Sequence, residues 1–118
     1  MSQINFDNLT EEQKKKIIEL NNLRQSLEFI TSQRLQFESS QRETESAIEE
    51  LEKIQPEDTV YKTIGGIFVK SDRNKLLDEK KSLKVSLEMR LKTLKQKEER
   101  VKNQLETMSK TLQADFQK

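Results

Sequence analysis

Carboxylates are the most abundant groups in this chain that could do chemistry. Asp and Glu number 21 of 118 residues, against 22 Lys and Arg. Glu49, Glu50 and Glu52 fall close together on one predicted helix. Clustered carboxylates do acid–base work only when burial or a like charge pushes one pKa upward. Nothing around these three would bury them, so no acid–base pair is expected. Histidine, the commonest general base, is absent, and so is cysteine. That removes thiolate chemistry, disulfides and the usual zinc ligands. Gly65 and Gly66 are the two glycines. No Lys-Ser/Thr pair follows them, as a phosphate-cradling loop requires. Calcium loops are also missing. Lys14-Lys15-Lys16 is the one basic triplet, and Glu11 and Glu12 precede it. With a net charge of +1, the chain lacks the basic excess that phosphate-backbone binding needs. It reads as a non-enzyme with no cofactor, no metal and no nucleic-acid partner.

What remains is the chemistry of apolar contact and backbone hydrogen bonding, concentrated between Val60 and Lys70. Val60-Tyr61-Lys62-Thr63-Ile64 and Ile67-Phe68-Val69-Lys70 flank Gly65-Gly66, the pattern of a β-hairpin with a two-residue turn. Such a turn sets Ile64 opposite Ile67, Thr63 opposite Phe68, Lys62 opposite Val69 and Tyr61 opposite Lys70. Strand alternation then places Val60, Ile64, Ile67 and Val69 on one face and Tyr61, Thr63 and Phe68 on the other. Both faces are partly apolar. A lone hairpin is marginal in water and leaves two unpaired edges. The chain contains no other strand-like segment, so Val60, Tyr61, Ile64, Gly65, Gly66, Ile67, Phe68 and Val69 are expected to join other subunits.

Two long helices should hold this hairpin. Only 31% of residues are hydrophobic and 36% are charged, which suits helices with a single apolar seam. Helix 1 is expected over about 10–54, opened by a Thr10/Gln13 capping box and stopped by Gln55-Pro56. Its seam runs with 3-4 spacing through Leu20, Leu23, Leu27, Ile30, Arg34, Phe37, Gln41, Thr44, Ile48 and Leu51. Ser71-Asp72 caps helix 2, expected over about 72–116. Its seam is read through Leu76, Lys80, Leu83, Leu87, Leu91, Leu94, Glu98, Val101, Leu105, Met108 and Leu112. The steps from Leu83 to Leu87 to Leu91 form a stutter, which locally unwinds a supercoil. Each helix would be ~65 Å long. Folding back on one another, they make an antiparallel coiled coil in which Leu20 meets Leu112, Ile30 meets Val101 and Arg34 meets Glu98. Residues 1–9 show no clear period and read as a mobile terminus.

The residues that carry a family resemblance lie mainly between positions 60 and 101. Val60-Tyr61-Lys62, Gly65-Gly66-Ile67-Phe68-Val69, Ser71-Asp72, Arg90-Leu91-Lys92-Thr93-Leu94 and Gln96-Lys97-Glu98-Glu99-Arg100 together resemble the β-type subunit of prefoldin, and the archaeal form most. Archaeal relatives often carry Gly-Asn where this chain has Gly65-Gly66. One hairpin between the helices, rather than two, points to the β type. The resemblance implies a mostly α fold of one domain, 1–118, whose hairpin joins an intersubunit β-barrel. It implies a hexamer of two α and four β subunits. It implies an ATP-independent cytoplasmic chaperone that captures unfolded polypeptides at the coiled-coil ends and delivers them to a group II chaperonin. A structural scaffold or tether without client-holding activity is the alternative. No membrane span or signal peptide is expected. If capture occurs at the helix ends, the apolar residues there are the candidate client contacts: Ile4, Phe6, Leu9, Ile17, Met108, Leu112 and Phe116, expected to be exposed.

Overall fold

The computed structural model describes residues 6–117, with backbone only for Phe6. A short 3₁₀ turn, Phe6–Asn8, comes first. It is followed by α1 (Glu11–Lys53, 43 residues), β1 (Val60–Ile64), β2 (Ile67–Ser71) and α2 (Arg73–Phe116, 44 residues). The 3₁₀ turn was not legible as a periodic pattern, because three residues are too few to show one.

The helix ends follow from local hydrogen bonds. Thr10 and Gln13 form the full capping box. The Gln13 N–H donates to Thr10 Oγ1 at 3.1 Å, and the Thr10 N–H donates to Gln13 Oε1 at 3.0 Å. Glu11 and Glu12 occupy the first turn, where the helix dipole favours negative charge. At the other end of α1, Pro56 sits inside a tight turn. The Asp58 N–H donates to the Gln55 carbonyl at 3.0 Å, and the Asp58 carboxylate accepts from the Gln55 N–H at 2.9 Å. Asp72 caps α2 by accepting from the Lys75 N–H at 3.0 Å.

The structure divides into two compact units, Met1–Gln33 with Leu94–Lys118 and Arg34–Thr93. The second, the hairpin unit, carries the hydrophobic cluster. Leu51, Leu76 and Leu77 are buried there, with Ile48, Ile54 and Val60 packed on them. Arg73 locks the same corner. Its Nε donates to the Leu51 carbonyl at 2.8 Å, satisfying one of the acceptors that the last turn of a helix leaves without a partner. Lys81 pairs with Glu52 at 3.7 Å, and the Arg90 guanidinium stands 5.6 Å from the centre of the Phe37 ring. Ascending positions on α1 therefore meet descending positions on α2. In the first, helix-end unit the same sense holds: Lys16 pairs with Asp115 at 3.2 Å, and Thr31 Oγ1 donates to Glu98 at 3.0 Å. Arg34, in the hairpin unit, pairs with Glu38 one turn along at 3.1 Å.

The seam of α1 matches its reading: Leu20, Ile30, Thr44 and Leu51 are buried and the positions between them at 3-4 spacing are partly so. The seam of α2 differs at two places, the first being Leu77, which is as buried as Leu76. At the second, Leu83 is 42% exposed, whereas Lys84 is half-buried. Entered at Leu77, the seam passes through Lys80, Lys84, Leu87 and Leu91 with an unbroken 3-4-3-4 spacing, and the stutter disappears. The physical reason is that the aliphatic stem of a lysine can lie along a seam while its ammonium stays in water.

Candidate functional site

The hairpin has the expected register. Val60 faces Ser71, Tyr61 faces Lys70, Lys62 faces Val69, Thr63 faces Phe68 and Ile64 faces Ile67. Gly65 and Gly66 both take positive φ, 54° and 83°. That matches the two-residue I′ turn, which suits the twist of the strands it joins. Val60 packs on the Leu51 cluster, and Lys62 Nζ reaches Glu79 on α2 at 3.1 Å. These two contacts tether one strand from its helix-side face.

Beyond that tether the hairpin is open. Phe68 is 77% exposed, Ile67 62%, Tyr61 60% and Ile64 51%. The sheet has two strands among the described residues, so each strand keeps one edge with free backbone donors and acceptors. Large apolar side chains on both faces of a small, well-hydrogen-bonded sheet form a surface suited to another sheet. Val60 stands apart from the other expected contact residues, because its own chain already half-covers it. The strand begins where α1 and α2 meet the hairpin, and its first side chain turns inward there.

The second expected group sits in the helix-end unit and needs a correction. Ile4 lies outside the described residues, as does the Phe6 side chain. Of the rest, Leu112 is buried at 7% exposure, and Leu9, Ile17, Met108 and Phe116 are half-buried. None of these described side chains is fully exposed as expected, because α1 and α2 cover them where they pack. Leu20, at 7%, is buried in the same unit. Beside them runs an open groove of about 1110 Å³, with Leu23 and Met108 among polar side chains such as Asn22, Asn103 and Thr107.

Sequence reasoning missed a set of exposed apolar side chains off the seams. Ile18 and Phe29 project from α1 in the helix-end unit, and Leu35, Val85 and Met89 project from the hairpin unit. The available signal was their failure to fit the 3-4 spacing. Scattered exposed hydrophobics are ordinary on protein surfaces. No group of three or more His, Cys, Asp or Glu that could hold a metal occurs among the described residues. No described helix is long and apolar enough to cross a membrane.

Comparison with known proteins places this architecture. The family described as prefoldin subunit matches residues 14–118. The prefoldin subunit beta of Archaeoglobus fulgidus is 36% identical over 97 residues, covering 82% of this chain and 84% of that one. That of Methanothrix thermoacetophila is 32% identical, covering 81% and 80%. Among solved structures, the prefoldin beta subunit from Thermococcus strain KS-1 superposes with a TM-score of 0.80 at 25% identity, covering 92% of this chain and 95% of that one. Two long helices with one antiparallel hairpin between them, and sequence similarity along most of the length, lead to one conclusion: the chain belongs to the prefoldin subunit family and is of its β type.

Proposed function

We propose that this chain is a subunit of an ATP-independent chaperone, assembled through its hairpin and holding unfolded polypeptides at its helix ends. The observation that carries the reading is the hairpin: folded, fixed at its base, and exposing Tyr61, Ile64, Ile67 and Phe68. Burying one such side chain is worth roughly 1.5–3 kcal/mol, so several together favour a permanent partner. The proposed partner is a barrel formed with the hairpins of α-type subunits and of further copies of this chain, in an α2β4 hexamer. Each assembled complex would then carry several helix-end units. Weak apolar contacts at each would combine into useful avidity. Neither step asks for nucleotide chemistry, and both glycines of the chain are used in the hairpin turn. Delivery to a group II chaperonin in the cytoplasm completes the proposal.

The test has two stages. The chain is mixed with an α-type subunit and the mass of the product is measured by light scattering. The assembled complex is then challenged with a denatured client, and suppression of client aggregation is followed with and without residues 1–9 and 109–118. A hexamer that holds the client only when these segments are present is the expected result. A hexamer with no holding activity would favour a scaffold, and a chain that stays monomeric would remove the assembly reading. Undiminished holding by the truncated complex would move capture away from the helix ends.

A further inference from the structure

The helix-end unit carries an ion pair that the fold makes unusually consequential. Asp115 lies in the last turn of α2, which contains no basic residue. A carboxylate there faces the negative end of the helix macrodipole and destabilises the turn that bears it. The other end of α2 shows the favourable case, with Asp72 capping the N-terminus. A cation beside Asp115 offsets this penalty, and Lys16 supplies one. The ammonium is 3.2 Å from Asp115 Oδ2, and the two side chains are only 31% and 28% exposed. Glu12, one turn earlier on α1, comes within 3.9 Å of the same ammonium.

Apolar residues flank both partners. Leu112 precedes Asp115 by one turn and Leu20 follows Lys16 by one turn, and both are buried. Ile17 and Phe116, the sequence neighbours of the pair, are half-buried. Lys16 also lines the groove that contains Leu23 and Met108. We propose that the Lys16–Asp115 pair is a salt-sensitive latch on this end of the molecule. Closed, it keeps Leu20 and Leu112 covered. Open, it leaves Asp115 opposing its own helix, the last turn of α2 loosens, and Leu112, Phe116, Ile17 and Leu20 become an apolar face. A partly exposed ion pair is weak and screened by salt, and helix ends open at low cost. The two states are thus close enough in energy for one pair to shift their balance.

The use of the open state in holding clients rests on the function proposed above, but the latch itself rests only on this geometry. Hydrogen exchange by mass spectrometry on the full chain separates the two. Peptides covering 12–20 and 108–116 are compared with peptides covering 73–91 as an internal reference. At about 0.05 M salt, Lys16→Gln should speed exchange in the end peptides about three- to fivefold and leave the reference unchanged. Adding Asp115→Asn to Lys16→Gln should restore most of the protection, because it removes the acid from the negative end of the helix. Loss of lysine packing alone would not be rescued in this way. Raising the salt to about 1 M should speed end exchange in the unaltered chain and have little effect in the double variant. Unchanged exchange in Lys16→Gln, or no rescue by Asp115→Asn, or salt-independent exchange in the unaltered chain would each overturn the latch. Client holding is measured on the same proteins assembled with α-type subunits. Faster end exchange with no holding in any sample would instead defeat the holding function while sustaining the latch.

Discussion

The hairpin unit and the helix-end unit handle apolar surface in opposite ways. In the hairpin unit, Phe68, Ile67 and Tyr61 stand largely in water on a sheet whose register is set by a two-glycine turn. In the helix-end unit, Leu20, Ile30, Val101 and Leu112 are buried and Leu9, Ile17, Met108 and Phe116 are half-covered, while Ile18 and Phe29 project outward from α1. The supports differ as well. The hairpin is tied to a hydrophobic cluster by Val60 and Arg73's corner of the fold, whereas the helix ends close with an ion pair between the second turn of α1 and the last turn of α2. Rigid exposure suits a partner that stays. Covered residues on elements that open easily suit a partner that comes and goes.

The largest expected effect is on the rigid surface. Ile67→Lys adds a charge where the proposed barrel would exclude water, at a cost of roughly 3 kcal/mol or more per copy. Light scattering should show the oligomer lost while helical circular dichroism largely persists, since Ile67 is 62% exposed in its own chain. An intact oligomer would collapse the contrast between the two units.

Paired truncations sharpen the contrast. Leu51→Ala opens a hole in the cluster under the hairpin and should cost about 3 kcal/mol, read from thermal or denaturant unfolding. Leu112→Ala should cost about half as much, because a fraying helix end can collapse around a smaller side chain. Equal costs would mean that the helix ends are as firmly packed as the hairpin base. The smallest effect is at the turn. Gly66→Ala forces a Cβ into positive φ, at roughly 1 kcal/mol, although no neighbouring atom lies within 4 Å of that Cβ. Gly66→Asn should recover part of the loss, since Asn tolerates this region better.

How much of this could be read from the residues varied with distance along the chain. The hairpin was fully legible, register included, because Gly65-Gly66 and the alternating residues beside it are local signals. The caps were legible for the same reason: Thr10 with Gln13, and Asp72 with Lys75, lie three residues apart. The seam of α2 was misread at Leu83 because hydropathy ranks leucine above lysine, whereas geometry at that position uses the stem of Lys84. Two readings of Leu112 conflicted: the seam set it opposite Leu20, whereas the candidate client contacts took it as exposed, and the structure buries both Leu20 and Leu112. The ion pair beside them joins residues separated by 99 positions, and no local pattern announces a partner so far away.

That separation also orders the folding of the chain. The Arg73–Leu51 contact closes a loop of 22 residues and the Lys16–Asp115 contact one of 99. Closure entropy grows as (3/2)RT ln n, so (3/2)RT ln(99/22) makes the distant contact about 1.3 kcal/mol harder to form first. Pairing should therefore nucleate beside the hairpin and zip toward the chain ends. During synthesis, all of α1 emerges before any of the helix that covers it. At about 5–20 residues per second, its seam waits for seconds without a partner. Arg34, Gln41 and Thr44 interrupt that seam in its middle, and a nascent helix with such breaks is less able to associate with another copy of itself.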